Sequence, residues 1–213
     1  MELLNEIGTA LENGDHGRVA ELVRRAVDDG VPASEIIERG LLAGMDVVGR
    51  RFGAHEIFLP DVLLAARAMK AGMDVVRPLL VGGEVPSRGT VVLGTVRGDV
   101  HDIGKNLVAT MLAGAGFEIV DLGTDVAPER FVEAAVDRGA AVVGLSALLT
   151  TTMGAMREVV ELVHERGLAG EVRVLVGGAP VTQAFADEIG ADAYAWDAGS
   201  AVEVVKGLVG VSP

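Results

Sequence analysis

The chain has 213 residues, half of them hydrophobic, with no cysteine and a formal net charge of −13. A surface this acidic disfavours binding to nucleic acid, and the lack of cysteine excludes disulfides, thiolate metal sites and cysteine nucleophiles. No apolar run is long enough to cross a bilayer, and the N-terminus shows no signal-peptide pattern. We therefore expect a cytoplasmic protein with no membrane partner.

Residues 1–83 predict an all-α unit, a four-helix bundle. Apolar residues at helical spacing indicate helices at 2–11, after Asp15 as the N-cap, at 34–51 and from Pro60 onward. The pattern breaks in GGEVPSRG, so residues 84–89 are the predicted linker.

Residues 90–213 predict an α/β unit. Continuous apolar, β-branched runs alternate with helical stretches, and this alternation is typical of a doubly wound parallel sheet. The fold class is thus a helical bundle followed by a flavodoxin-like or Rossmann-like five-stranded parallel sheet. The predicted strands are at 90–96, 117–122, 140–147, 171–178 and 192–195.

The loop after the first predicted strand carries the most chemistry, because ligands bind at the carboxyl ends of such strands. Neutral imidazole is a common ligand of transition metals, and a carboxylate two residues earlier can accept the other ring N–H. The alternative is that an Asp caps the next helix and the His is an exposed loop residue. The loop residues are Gly98, Asp99, Val100, His101, Asp102, Ile103 and Gly104.

A single histidine suits a metal that is already held by a macrocycle, where the protein supplies one axial ligand. The other three histidines, at positions 16, 55 and 164, are expected to be surface residues. The chain has no Walker motif and no G-x-G-x-x-G after the first strand, which disfavours ATP and NAD. The acidic loop also disfavours the phosphate of FMN.

Two further loops are predicted to reach the same edge of the sheet. Ser146, Thr150 and Thr152 offer hydroxyls to a polar ligand, and the alternative for Thr152 is a cap on the next helix. Gly177 and Gly178 fit either a groove in which a ligand lies against the backbone or a simple tight turn.

Together these loops resemble the cobalamin-binding family, whose pattern is D-x-H-x-x-G, then S-x-L, then G-G. The chain has Asp99-Val-His101-Asp-Ile-Gly104, Ser146-Ala-Leu148 and Gly177-Gly178. Residues 48–70 are similar to the cap helices of methionine synthase and of corrinoid methyltransferase proteins. The resemblance covers nearly the whole chain and is strongest to small corrinoid proteins of methyltransferase systems.

The resemblance implies a role for each matching residue. His101 would be the axial ligand of cobalt, Asp99 its partner, and Thr152 a further hydroxyl of the proton relay. Phe52, Leu59 and Val62 would cover the upper face of the cofactor, whereas Phe58 and Met69 are expected in the bundle core. The groove for the nucleotide tail would be lined by Ser146, Leu148, Thr150, Gly177, Gly178, Tyr194 and Ala198.

The function that the resemblance implies is a methyl carrier that alternates between methylcobalamin and cob(I)alamin and is not catalytic alone. Its implied partners are a substrate-specific methyltransferase, an acceptor methyltransferase acting on tetrahydrofolate or a thiol, and a reductive activase. Three alternatives stay open: a cobalamin-based sensor, the cobalamin subunit of a mutase and, outside the corrinoids, a flavodoxin-like electron carrier.

Overall fold

The computed structural model describes residues 2–80 and 87–210. The chain divides into two compact units, one comprising Met1–Ser87 with Gly114–Gly116 and the other Arg88–Ala113 with Phe117–Pro213. Half of the predicted linker, residues 84–86, lies outside the described residues, so the linker stays a prediction. Within the described part, no helix combines the length and apolar character needed to cross a membrane.

The described residues 2–80 are helical, as predicted. Helix α3 continues through a π-helical segment into α4, so these three pieces form the single long third helix that the sequence predicts. Helix α5 begins one residue before Pro60. The elements are α1 (Glu2–Glu12), α2 (His16–Asp28), α3 (Ala33–Glu35), the π-helical segment (Ile36–Leu42), α4 (Ala43–Gly53), α5 (Leu59–Val76) and a 3-10 turn (Arg77–Leu79).

Local interactions explain where these helices begin and how closely they pack. The carboxylate of Asp15 accepts a hydrogen bond of 2.9 Å from the Arg18 N–H, which confirms the predicted N-cap of α2. Helices α1 and α4 approach closely because both have glycine at the crossing. A Cβ added to Gly44 would lie 3.0 Å from the Cα of Gly8.

In residues 87–210 five parallel strands form one sheet in the order β2-β1-β3-β4-β5. This confirms the predicted sheet, and every predicted strand and helix is present. The elements are β1 (Thr90–Thr95), α6 (Ile103–Gly114), β2 (Glu118–Asp121), α7 (Pro128–Arg138), β3 (Val142–Ser146), α8 (Gly154–Glu165), β4 (Arg173–Gly177), α9 (Gln183–Ile189), β5 (Ala193–Ala195) and α10 (Ala198–Leu208).

The register of the sheet aligns the strand ends that precede the candidate loops. Thr95 of β1 lies opposite Ser146 of β3, and Ser146 lies opposite Gly177 of β4. Strand β1 lies between β2 and β3, so the connections that leave β1 and β3 turn to opposite sides of the sheet. The crevice at such a point is the usual ligand site of this architecture.

The core between the sheet and helix α7 leaves no room for a side chain at position 94. Phe131 of α7 is fully buried, and a Cβ added to Gly94 of β1 would lie 2.6 Å from its ring. Glycine at this position therefore lets the aromatic ring pack directly against the backbone of β1.

We predict that Gly94→Ala destabilises the protein by about 1–3 kcal/mol, because the ring of Phe131 must move in a close-packed core. Equilibrium unfolding in urea measures this change. Gly154→Ala is the matched control, because a Cβ there meets no atom within 4 Å and the residue begins helix α8. Equal stability of the two variants would contradict the packing described for Gly94.

Candidate functional site

A buried carboxylate organises the loop between β1 and α6. One oxygen of Asp99, Oδ1, lies 2.7 Å from Nδ1 of His101 and accepts a hydrogen bond of 3.1 Å from the His101 backbone N–H. The other oxygen, Oδ2, accepts hydrogen bonds from the backbone N–H groups of Leu148 and Leu149, at 2.8 and 3.2 Å. The hydroxyl of Thr152 lies 2.9 Å from the same oxygen. Asp99 therefore joins the His101 loop to the loop after β3.

This environment keeps the Asp99 carboxylate ionised. Burial by itself would raise its pKa, but the hydrogen bonds from the His101 ring, the two backbone N–H groups of Leu148 and His101, and the Thr152 hydroxyl outweigh burial. The pKa of Asp99 is consequently held well below its usual range. The structure therefore contradicts the alternative that Asp99 only caps the next helix.

The contact with Asp99 determines which nitrogen of His101 is available to a metal. A carboxylate that accepts a hydrogen bond from Nδ1–H fixes the neutral tautomer with its lone pair on Nε2. The side chain of His101 is 48% exposed although that of Asp99 is fully buried. Nε2 is therefore the nitrogen that can bind a metal at the edge of the sheet.

The residues around His101 fit a corrinoid. Within the described residues, no group of three or more His, Cys, Asp or Glu side chains could hold a metal ion, so the available donor set is one imidazole. That set suits a cobalt whose equatorial positions are filled by a macrocycle. Large apolar side chains are exposed on the same two loops and offer a surface to a broad ring: Val100 (72%), Ile103 (80%), Leu148 and Leu149.

Thr152 does not cap helix α8, contrary to one expectation from the sequence. The N-cap of α8 is Met153, which makes no side-chain capping bond. The Thr152 hydroxyl is buried between Asp99 Oδ2 and the carbonyl oxygen of Leu149, each at 2.9 Å. Its single proton can be donated to only one of them at a time.

Different backbone contacts limit the space for a side chain at each of the two glycines after β4. A Cβ on Gly178 would clash with the backbone carbonyl of Ala147, and Gly178 has φ +132°, which favours glycine. A Cβ on Gly177 would lie 3.1 Å from the carbonyl oxygen of Ala195. The backbone of the neighbouring loop therefore requires glycine at position 178 whether or not a ligand lies nearby.

The other residues predicted for the tail groove lie along the same edge but differ in exposure. Ser146 ends β3 and is half-buried, and its carbonyl accepts a hydrogen bond of 3.0 Å from the Val96 N–H. Thr150 is exposed. Tyr194 packs against the core of the α/β unit, and Ala198 is buried at the start of α10. The tail groove stays a prediction.

The predicted cap residues lie in the helical unit with contrasting burial. Val62 is fully buried, so its side chain is not on an exposed surface, whereas Phe52 and Leu59 are partly exposed. The prediction that Phe58 lies in the bundle core is wrong, because its side chain is 69% exposed, and Met69 is buried as predicted. The role of Phe52 and Leu59 over the cofactor stays a prediction.

Two residues that touch the loop were not predicted from the sequence. The buried Thr95 donates a hydrogen bond of 2.8 Å from its hydroxyl to the carbonyl oxygen of His101. The carboxylate of Asp125 accepts a hydrogen bond of 2.7 Å from the Gly98 N–H. A hydroxyl in the last position of a buried strand, at the carboxyl edge of the sheet, was the available signal for Thr95.

Comparison with known proteins identifies the family. A family model described as a B12 binding domain matches residues 89–206, and a second B12-binding model matches residues 3–77. The chain belongs to the B12-binding corrinoid proteins. Cobalamin is therefore its cofactor, and the match covers both of its units.

Relatives of this corrinoid protein match over nearly their full length. A corrinoid protein of Desulfitobacterium hafniense is 45% identical over 99% of both chains. Dimethylamine corrinoid protein 2 of Methanosarcina acetivorans is 49% identical over 98% of this chain and 96% of its own. Their likeness supports the methyl-carrier role over the sensor and mutase alternatives.

Solved structures agree with this fold. A chain of the methanol:cobalamin methyltransferase complex of Methanosarcina barkeri superposes with a TM-score of 0.87 at 33% identity, covering 99% of this chain and 81% of that one. A cobalamin-binding protein of D. hafniense superposes with a TM-score of 0.81 at 34% identity, covering 96% and 98%.

We predict that Gly178→Ala destabilises the cofactor-free protein by more than about 1 kcal/mol, because the added Cβ meets backbone at a φ that disfavours alanine. Urea unfolding without corrinoid measures this effect. Gly177→Ala is the matched control, since its Cβ contact is tight but its φ is not in the left-handed region. If Gly178→Ala unfolds like the wild type and only loses corrinoid affinity, the glycine serves the ligand instead.

Proposed function

We propose that this corrinoid protein receives a methyl group on cobalt from one methyltransferase and delivers it to a second. The observation that carries the proposal is the His101–Asp99 pair at the edge of the sheet, locked to the loop after β3. Full-length likeness to dimethylamine corrinoid proteins supports the same role.

The protein would hold the cofactor and supply one ligand to its cobalt. When bound, the corrinoid supplies a nucleophilic cobalt that accepts a methyl group and later releases it to an acceptor. His101 would bind the cobalt through Nε2. Asp99 would keep the ring oriented by accepting the Nδ1–H hydrogen bond. Thr152 would support the ionised form of Asp99 through its hydroxyl.

The remaining predicted residues would hold or shield the cofactor. We assign the nucleotide tail to the edge formed by Ser146, Leu148 and Thr150, the two glycines after β4, and the stretch from Tyr194 to Ala198. Phe52 and Leu59 would exclude water from the upper face. Val62 would act only indirectly, because it is fully buried.

The methyl donor that we propose is a methylated amine, presented by a substrate-specific methyltransferase. Several relatives at 48–49% identity are dimethylamine corrinoid proteins, whereas the structure from the methanol system is 33% identical. An acceptor methyltransferase acting on tetrahydrofolate or a thiol, and a reductive activase, complete the proposed set of partners. A cytoplasmic location stays a prediction of the sequence.

The donor is tested by reconstituting the protein with corrinoid under reducing conditions and adding one methyltransferase at a time. Enzymes specific for monomethylamine, dimethylamine, trimethylamine and methanol are compared, and the absorption spectrum follows methylation. We expect a methylamine enzyme to methylate the protein fastest. Methylation by the methanol enzyme alone would overturn the amine assignment but leave the carrier role intact.

We predict that His101→Ala binds corrinoid more weakly and without a protein nitrogen on cobalt, because Nε2 is the donor that the site offers. Electron paramagnetic resonance of the Co(II) form with 15N-labelled protein reports this nitrogen as a doublet, distinct from the triplet of an unlabelled nitrogen of the cofactor, and equilibrium dialysis reports affinity. His164→Ala, which removes an exposed histidine on α8, is the control and should behave as the wild type. An unchanged nitrogen splitting in His101→Ala would rule out the ligand assignment.

A further inference from the structure

The backbone around His101 is fixed by hydrogen bonds that do not involve its side chain. Thr95, buried at the end of β1, donates from Oγ1 to the His101 carbonyl oxygen at 2.8 Å. The His101 N–H donates to Asp99 Oδ1 at 3.1 Å. Both polar groups of the His101 peptide backbone are therefore held by side chains, one on each side of the residue.

The preceding part of the loop is held from β2's side of the sheet. The Asp125 carboxylate accepts from the Gly98 N–H at 2.7 Å, while the Asp125 N–H donates to the Asp99 carbonyl oxygen at 2.9 Å. This reciprocal pair ties two consecutive loop residues to one side chain and its backbone. Asp125 has φ +54°, a left-handed conformation that residues other than glycine adopt infrequently, although Asp and Asn adopt it more often than most. Such conformations persist where the surrounding structure imposes them.

These contacts matter for a ligand that must be released and rebound. His101 would bind the cobalt in the less reduced forms of the cofactor but not in the nucleophilic form that accepts the methyl group. In the latter form only the protein keeps the imidazole in place. An imidazole that is free to change orientation would lose conformational entropy each time it binds cobalt, and the bond between His101 and cobalt would be weaker accordingly.

We propose that Thr95 and Asp125 are positioning residues, which hold the backbone of the ligand loop so that the His101 imidazole stays in place when it is not bound to cobalt. This inference rests on the proposed function. It gives Thr95 and Asp125 an influence on the redox potential of the cobalt, which an ordinary core residue or surface acid would not have. They act through His101 and Asp99 and need not touch the cofactor.

The first test replaces the hydroxyl of Thr95 without changing the shape of the side chain. Thr95→Val removes the donor, and Thr95→Ser keeps it. Loss of one hydrogen bond should weaken the binding of His101 to Co(II) about fivefold. Because the ligand favours Co(II) over Co(I), the midpoint potential of that couple should rise by about 40 mV, the equivalent of fivefold for one electron. Thr95→Ser should stay close to the wild type.

The second test removes the carboxylate of Asp125 at an unchanged backbone conformation. Asp125→Gly deletes the acceptor and tolerates positive φ, whereas Asp125→Asn keeps an oxygen acceptor and is among the residues that adopt this conformation most readily. We expect a rise in potential in the same direction for Asp125→Gly and none for Asp125→Asn. Spectroelectrochemical titration at fixed pH measures the potential, and thermal melting of the cofactor-free proteins identifies variants that are only destabilised.

His101→Ala separates failure of this inference from failure of the proposed ligation. Its potential marks complete loss of the axial ligand and should lie above that of every other variant. If His101→Ala shifts the potential but Thr95→Val and Asp125→Gly do not, the positioning role is overturned and the ligation stands. If His101→Ala leaves the potential unchanged, the ligation itself is wrong and the inference falls with it. Retained nitrogen splitting with a raised potential in Thr95→Val supports the proposal.

Discussion

The buried carboxylate of Asp99 is the interaction on which the site depends. Its Oδ1 is shared by two groups of His101, and its Oδ2 by donors of the loop after β3. An isolated buried anion would be strongly unfavourable, so this one is stable only because donors surround it. The orientation of the imidazole and the path of the second loop are consequently set by the same charge. A change in either loop would alter the environment of the other.

Much of this arrangement could be predicted from the sequence, because the relevant signals are side chains. The alternation of apolar strands and helices gave the parallel sheet, and the sheet placed the loops at one edge. The acidic residue two positions before His101 then suggested the hydrogen bond between them. The π-helical segment at Ile36–Leu42 carried no such signal, because the sequence there has the same apolar periodicity as an ordinary helix.

The parts that could not be predicted are contacts made by the backbone. The N–H groups of Leu148 and Leu149 bind Asp99, but every residue except proline has such a group, so the identity of the residue carries no information about it. The sequence shows the glycine at position 178, but it does not show the carbonyl group of Ala147 that excludes a side chain there. The exposure of Phe58 could not be predicted either, because an apolar residue next to the start of a helix can be buried or exposed.

Under the proposed function, two kinds of residue would hold the cofactor in different ways. Val100, Ile103 and Leu148 expose apolar surface at the edge of the sheet. Covering apolar surface is favourable by about 25 cal/mol per Å² before the entropic cost of binding is subtracted, and it depends little on exact geometry. The Asp99–His101 pair contributes the opposite property, a directional contact that is sensitive to tenths of an ångström. Affinity would then come mainly from the apolar surface, and the cofactor would stay bound whether or not His101 is bound to its cobalt. The segment of residues 98–103, whose backbone is held by hydrogen bonds and whose side chains at positions 100 and 103 are apolar and exposed, would meet both requirements at once.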